Sequence, residues 1–375
     1  MKATRALRVM HVVSGLRWGG RQMQAEALAT GLAAKGHHPV VAALAGSTLA
    51  RRAEGMGIEL FPLPSGWAAR LAALRRLIGL HPWDVAHLHD AAALKELRWA
   101  SLGVKGPPGV LTVRGDVRYG DRVLPAGTPV GRVARFIAVS EWVWSALVRA
   151  GISEERIAVI HTAVDLARFT VAPAVMRGLR EASRGALGLG ASDFVAGTVV
   201  SLRKEKGIAD LIEAGRRIRE GWAPSSDGTF RLVIAGEGPC RADLEAAVRR
   251  SGMADAVIFT GWRDEVLEVL AALDVFVHPA LSGGAFPLSL REAMAMGVPV
   301  VATDLMGIRE IIDNGKHGLI APAADPEGLA LNIMRLQRDP AFARELGRSG
   351  SLKVQRYGVQ AMVDRTEELY FRLVR

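Results

Sequence analysis

Three turns of this sequence carry residue types suited to holding a phosphorylated ligand. The first, Ser14-Gly15-Leu16-Arg17-Trp18-Gly19-Gly20, joins an apolar run to a helical pattern. Paired glycines such as Gly19 and Gly20 let the backbone approach a ligand, and the helix that follows offers unpaired N–H groups to an anion. A plain tight strand–helix turn would use the same glycines. The second, Ser201-Leu202-Arg203-Lys204-Glu205-Lys206-Gly207, enters a helix with cations. Lys and Arg oppose the helix dipole at that end, which suits an anionic partner. Arg203 could grip a diphosphate bidentately and Lys206 could act as a point charge, stabilising a leaving diphosphate. The plainer alternative is a solvated, charged helix start.

The third turn, residues 279–294, reads PALSGGAFPLSLREAM. A glycine-rich loop leads into a helix expected to begin near Pro287, a good first-turn residue. The amides of Leu288 and Ser289 could take phosphate oxygens. Glu292 could accept hydrogen bonds from two vicinal ribose hydroxyls, or could merely complement the helix dipole. Elsewhere, His87 and His89 alternate along a predicted strand and so face one side, with Asp90 at its end. They suit hydrogen bonding to a substrate, or satisfaction by nearby backbone. A metal site would need a third ligand that the sequence does not nominate.

Strands and helices must position these turns. Branched-aliphatic runs at 7–13, 39–45, 58–63, 84–89, 109–113, 135–140 and 156–160 alternate with helical segments such as RQMQAEALATGLAAKG at 21–36. The rhythm breaks over 169–192, then resumes with runs at 193–201, 230–236, 256–261, 274–279, 298–303 and 317–322. Such alternation implies parallel sheets covered on both faces. The expected fold is α/β, with two Rossmann-like doubly wound domains facing a central cleft. The expected boundaries are 1–170 for the first domain, 171–192 for a hinge linker and 193–350 for the second domain, with a C-terminal helix over 351–375 able to cross back to the first domain. Ligands of such sheets bind beyond the carboxyl ends of the strands, where the three turns fall.

Composition narrows the classes. The 375 residues are 50% hydrophobic and 23% charged, as ordered globular chains are. No apolar run approaches the ~18 residues that span a bilayer. The single cysteine, Cys240, excludes an internal disulfide and a multi-cysteine metal cluster. The first turn is not G-x-G-x-x-G and no acidic residue follows the second strand, which disfavours a nicotinamide dinucleotide. The net charge of +10 is one-sided: residues 1–180 hold 24 basic against 12 acidic residues, and residues 181–375 hold 24 against 26. A basic first half attracts an anionic partner: phosphorylated substrate, phospholipid surface or nucleic acid. Nucleic acid ranks last, since the first half offers no recognisable stacking surface or recognition helix. In RLAALRRLIGLHPW (70–83), Leu71, Leu74, Leu77 and Ile78 share a helical face near Arg70, Arg75 and Arg76. That pattern fits a membrane-docking helix or an ordinary helix packed on the sheet.

The run FPLSLREAMAMGVPVVATDLMGIREIIDNGKHGLIAPAADPEGLA (286–330) closely resembles the retaining glycosyltransferases of family 4, which have the GT-B fold. DVAHLHD (84–90), FIAVSEWVWSALVRAGISEERIAVIHTAVDLARF (136–169), LRKEKGIADLIEA (202–214) and LVIAGEGPCRADLE (232–245) extend the resemblance along the chain. The resemblance implies transfer of a sugar from a nucleotide-sugar donor, held by the second domain, to an acceptor hydroxyl, held by the first. It implies that Arg203, Lys206 and Glu292 serve catalysis through the donor diphosphate and ribose. Gly19 and Gly20 would face the diphosphate, and Ser201 stands where the family often has arginine. Gly283, Gly284, Ala285, Phe286, Pro287, Leu288 and Ser289 would line the donor, with His87, His89, Asp90 and Arg114 on the acceptor or cleft side. Asp-x-Asp is absent from the sequence, which agrees with metal-free chemistry and no cofactor beyond the nucleotide-sugar co-substrate.

Three departures stand out. Gly284 occupies the place of the first of two glutamates that the family sets eight positions apart. Arg114, in LTVRGD (111–116), replaces a common histidine, and Thr162-Ala163 replaces Asn-Gly. An arginine cannot act as a base at neutral pH, but it can bind an anionic sugar, phosphate or carboxylate. The expectation is therefore a retaining, metal-independent hexosyltransferase-type enzyme acting on an anionic cell-envelope glycan or lipid of lipopolysaccharide type. It would be cytoplasmic or peripheral on the inner face of the membrane, with no nucleic-acid partner. The alternative is a catalytically silent nucleotide-sugar binder or assembly protein of the same fold.

Overall fold

The structure, a computed structural model, describes residues 5–16, 18–104, 106–114, 124, 127–221, 228–283 and 286–375. The chain divides into two compact units, one of residues 1–163 with 357–375 and the other of residues 164–356.

The first unit is built on a seven-stranded parallel sheet of order β3-β2-β1-β4-β5-β6-β7. Its strands are β1 (Arg8–Val13), β2 (His38–Leu44), β3 (Glu59–Leu63), β4 (Val85–Leu88), β5 (Gly109–Val113), β6 (Val133–Ala138) and β7 (Ile157–Val159). Its helices are α1 (Gly20–Ala34), α2 (Thr48–Gly55), α3 (Trp67–Leu80), α4 (Ala91–Ala100) and α5 (Glu141–Arg149). The second unit has a six-stranded parallel sheet, order β10-β9-β8-β11-β12-β13. Its strands are β8 (Phe194–Val199), β9 (Phe230–Ala235), β10 (Val257–Gly261), β11 (Val275–His278), β12 (Val300–Thr303) and β13 (Leu319–Ala321). Nine helices belong to this unit among the described residues. They begin with α6 (Leu166–Phe169), α7 (Pro173–Ala186), α8 (Ile208–Glu220), α9 (Arg241–Arg250) and α10 (Val266–Ala272). They continue with α11 (Leu288–Ala295), α12 (Met306–Arg309), α13 (Pro326–Arg338) and α14 (Pro340–Val354). The last helix, α15 (Val359–Val374), returns to the first unit.

All thirteen expected apolar runs are strands: the central ones are buried on both faces, while the edge strands β3, β7 and β10 are only partly buried. Strands β4, β5, β11 and β12 are buried along their whole length. Short polar side chains start the helices: Ser47 accepts from the Ala50 amide, Asp90 from Ala93 and Ser140 from Val143.

One sequence expectation changes, and of the two readings of α3 the structure favours the packed helix. Residues 171–192 are not a hinge between domains; they lie inside the second unit, where α7 is a fourteen-residue helix. Its Arg184 donates to Asp274 at 2.7 Å and Arg180 pairs with the same carboxylate, which also accepts from the Val195 amide at 2.7 Å. One half-buried acid thus binds α7 to the start of β8, and the second unit begins at Val164 rather than after Thr170. In α3, the apolar face read as a docking surface is turned inward, with Leu74, Leu77 and Ile78 all buried. No helix among the described residues is long and apolar enough to cross a membrane.

Helix α15 completes the first core. Met362, Val363, Leu369 and Tyr370 are buried with Leu7, Val9, Leu28 and Leu32. Tyr370 reaches the sheet itself, its hydroxyl meeting His87 Nδ1 at 2.5 Å. Replacing Tyr370 by Phe keeps the ring and leaves that buried nitrogen unpaired. The expected cost is about 1–3 kcal/mol, read as a lower midpoint in urea unfolding.

Candidate functional site

In the second unit the predicted donor residues converge at the carboxyl ends of β8 and β11, neighbours in the sheet. After β8 the chain makes the turn from Ser201 to Lys206, whose last three residues form a single 3₁₀ turn. The cations therefore precede α8 rather than occupying its first turn, which carries Asp210. Ser201 and Arg203 are exposed, while Lys206 is half-buried. Gly207 then takes φ 65°, a left-handed value, and a Cβ on it would lie 1.8 Å from the Pro279 carbonyl oxygen. The Leu281 amide donates to the Glu205 carbonyl at 2.9 Å. Backbone alone thus fastens the cationic turn to the start of the glycine-rich loop.

That loop is held by further bonds. Thr303 at the end of β12 donates its hydroxyl to the Ala280 carbonyl at 2.5 Å. Ser289, in the first turn of α11, donates its hydroxyl to the Val199 carbonyl at 2.9 Å. The hydroxyl expected to meet the donor is therefore engaged in joining α11 to β8, leaving the Ser289 amide for a ligand. Helix α11 starts at Leu288 with Pro287 as its cap and no side-chain bond at that end. Its first amides accordingly lack a side-chain acceptor. Phe286 is buried with Arg291 stacked over its ring at 4.2 Å, so it shapes the loop from within. Gly283 has φ 68°. Gly284 and Ala285 lie outside the described residues.

Glu292 is buried on α11 beside Arg291, Arg168 and Asp165. Burial raises its carboxyl to about 7, opposed by the two arginines and assisted by Asp165. Asp165 is also the cap of α6, accepting from the Arg168 amide at 3.2 Å, and Arg168 pairs with Glu265. Sequence reasoning missed Asp165 and Arg168; their Val-Asp segment was noticed only for the residues before it. It also passed over the loop after β9. There a Cβ on Gly236 would sit 1.9 Å from the Val200 carbonyl, and Leu202 donates to the Glu237 carbonyl at 3.0 Å. Under the site, His278 is buried with neither ring nitrogen paired among the described residues. Burial, reinforced by Lys206, lowers it to about 3 and keeps it neutral.

In the first unit, Gly19 and Gly20 open α1, whose start has no side-chain cap and no acidic residue. His87 and His89 stack at 4.3 Å between ring centroids. A third imidazole joins them, because His11 on β1 stands in parallel register with His87 on β4. His11 Nδ1 meets His89 Nε2 at 3.1 Å. The register between β1 and β4, neighbours in the sheet but far apart in sequence, was the signal that sequence alone did not expose. All three rings are buried, and burial holds them neutral. Their ligand atoms lie within 4.8 Å of one another, yet the set does not suit a metal. His87 is bonded at both nitrogens, to Tyr370 and to Thr112 at 2.6 Å. Its ring is within 14° of parallel to that of His89, so the two rings' in-plane lone pairs do not converge on one point.

Of the two readings of His87, His89 and Asp90, facing the acceptor or being satisfied internally, the structure gives all three internal partners. The two imidazoles are core groups with internal partners. Asp90 is committed as the cap of α4, accepting also from the Ser14 amide at 3.0 Å and from Arg21 at 3.3 Å. Arg114 remains at the surface of this group. It is half-buried, donates Nη1 to the His89 carbonyl at 2.8 Å, and its Nε has no partner among the described residues. Burial lowers it to about 9, which leaves it cationic at neutral pH.

Two doubly wound parallel-sheet units, with phosphate-suited turns at their strand ends, form the GT-B architecture. The model described as "Glycosyltransferase Family 4" matches residues 18–168, and that described as "Glycosyl transferases group 1" matches residues 193–339. The chain belongs to this glycosyltransferase family. It is 38% identical over 146 residues to an exopolysaccharide phosphotransferase of Streptomyces coelicolor, a stretch covering 39% of this chain and 16% of that protein. It is 32% identical over 151 residues to the amylovoran biosynthesis glycosyltransferase AmsK of Erwinia amylovora, covering 38% of this chain and 36% of AmsK. The chain thus spans well under half the length of these two curated relatives. The crystal structure of Anabaena HepE in complex with UDP-glucose superposes with a TM-score of 0.84 at 21% identity, covering 98% of this chain and 100% of that one.

Two outcomes are expected. Gly207→Ala forces a side chain against the Pro279 carbonyl and out of a left-handed conformation, so it should destabilise by about 1–3 kcal/mol and loosen the loop, read in a thermal melt. Glu292 accepts hydroxyl hydrogen bonds best when ionised, so ligand affinity should fall as pH drops through about 7. Titration calorimetry from pH 6 to 8 should show this slope, and Glu292→Gln should flatten it.

Proposed function

We propose that the protein is a retaining, metal-independent glycosyltransferase that moves a sugar from a nucleotide-sugar to a hydroxyl of an anionic cell-envelope glycan or lipid, of lipopolysaccharide type. The observation that carries this reading is the exposed Arg203 and half-buried Lys206, fastened by the Glu205–Leu281 bond to the loop preceding the uncapped α11. Cations and free amides meeting at adjacent strand ends favour a diphosphate, and buried Glu292 four residues into α11 suits the ribose beyond it.

In this reading the bond between the sugar's anomeric carbon and the β-phosphate oxygen breaks while the acceptor oxygen bonds to that carbon on the same face. The acceptor's proton passes to a β-phosphate oxygen. Arg203 and Lys206 hold the negative charge that accumulates on the diphosphate, and no cofactor takes part. The names of the relatives, exopolysaccharide and amylovoran synthesis, support an envelope polysaccharide as the acceptor class. The half-buried guanidinium of Arg114 supports an anionic group on the substrate held by the first unit, and a cytoplasmic setting would supply the nucleotide-sugar.

A thermal-shift panel of UDP-, GDP- and ADP-sugars tests the reading. One base should raise the melting temperature in the presence of EDTA. Arg203→Ala with Lys206→Ala should remove about 2–4 kcal/mol of transition-state stabilisation, a loss of roughly 10²–10³ in turnover. Turnover abolished by chelation and restored by magnesium would overturn the metal-independent part. Arg114, standing where a histidine is common, also favours a second reading: a silent binder would show the thermal shift with no transfer to any acceptor.

A further inference from the structure

Two helices of the first unit display charge of a single sign. Between residues 64 and 104 the exposed charged side chains are Arg75, Arg76, Lys95 and Arg98. The three acids of that stretch are all turned inward. Asp84 accepts from Arg5 and from the Arg8 amide at 2.8 Å, Asp90 caps α4, and Glu96 pairs with Arg70 at 3.1 Å and Ser14 at 3.2 Å. The acids of this stretch are thus engaged away from its surface cations.

Large apolar side chains are exposed on the same two helices and the turn after α4, with Trp67 at the start of α3 55% exposed. Trp99 is 53% exposed, Leu102 47%, Leu80 45% and Val104 39%. The end of α4 that carries Trp99 and leads to Leu102 lies against α3, because α3 packs on α4 and Arg75 ties the two together. Its guanidinium donates to the Ala100 carbonyl at 3.2 Å and to the Leu102 carbonyl at 2.7 Å. The Leu102 amide in turn bonds the Trp99 carbonyl, folding the end of α4 into a compact turn. An exposed tryptophan beside leucines and valine is costly in water, whereas indole with surrounding arginines suits the boundary between lipid headgroups and acyl chains.

We propose that this end of the α3–α4 pair, centred on Trp99 and Leu102 and ringed by Arg75, Arg76 and Arg98, docks the first unit on an anionic lipid bilayer. The inward apolar face of α3 has no part in it; the contact is made by the helix ends and the turn after α4. Charge complementarity selects the occupant: cations without exposed acids in this stretch suit phospholipid headgroups, and each arginine near such a surface adds to the attraction. For its purpose, delivery of a membrane-borne acceptor, the proposal rests on the envelope-glycan reading above; the binding itself does not require it.

Co-sedimentation with phosphatidylcholine vesicles, with and without phosphatidylglycerol, provides the test. The intact chain should bind only the anionic vesicles and should release from them as salt rises. Arg76→Glu with Arg98→Glu should weaken that binding about tenfold or more. Trp99→Ala with Leu102→Ser should weaken it at low and high salt alike. Each variant is scored at a melting temperature matching the parent; should the apolar pair unfold, the fully exposed charge pair decides. No binding to anionic vesicles, equal binding to neutral ones, or binding that both variants leave unchanged would overturn the proposal. Sedimentation velocity on the same samples covers the rival occupant: self-association lost in the apolar variant, without lipid binding, would assign the patch to a second copy of the chain. A nucleotide-sugar thermal shift on the same preparation separates the two readings, since a donor response without vesicle binding removes the docking surface alone.

Discussion

The second unit depends on one backbone contact. Gly207 passes so close to the Pro279 carbonyl that no side chain fits between them, and the Glu205 carbonyl takes the Leu281 amide one step away. Two loops that leave adjacent parallel strands are thereby fixed to each other through main-chain atoms. Side-chain contacts could be retuned by substitution, but this one leaves the sequence almost no choice. Arg203 and Lys206 stand three positions apart on a turn that main-chain bonds hold from below. Ser289 and Thr303 add two bonds from side-chain hydroxyls to main-chain carbonyls, tying α11 to β8 and the end of β12 to Ala280.

Glu292 illustrates what such packing does to a charge. Its burial favours the neutral acid, while Arg168 and Arg291 favour the anion. Neither influence wins outright, which keeps the group near the point where it can change state. A carboxyl balanced in this way is a more selective partner for paired hydroxyls than an exposed one, since a ligand that supplies hydrogen bonds replaces the lost water.

The strands were legible because both sheets are buried on both faces and need continuous branched-aliphatic runs, a pattern that appears without any knowledge of pairing. The glycine and cation turns were legible because their residue types are unusual at helix starts. What escaped was whatever depends on neighbours across the sheet. His11 joins His87 only through the β1–β4 register, and Gly236 matters only because Val200 lies opposite it. The alternation of His87 and His89 was read correctly as one-sided, but the side proved to be the core, where Thr112, Tyr370 and His11 satisfy most of the ring nitrogens. The Ala- and Arg-rich stretch over 171–192 misled for a related reason: its arginines look like linker solubility until Asp274 is brought beneath them.

Helix α15 lies at the far end of the chain from the sheet whose core it fills. During synthesis the residues of β1 and α1 emerge first, yet Leu7, Leu28 and Leu32 keep an uncovered side until Val363, Leu369 and Tyr370 have left the ribosome. The second unit, made from one uninterrupted segment, has no such wait and can mature while the first is still open. A nascent chain therefore carries an unfinished apolar surface until α15 has emerged, and a chain cut before α15 keeps a sheet with one bare flank.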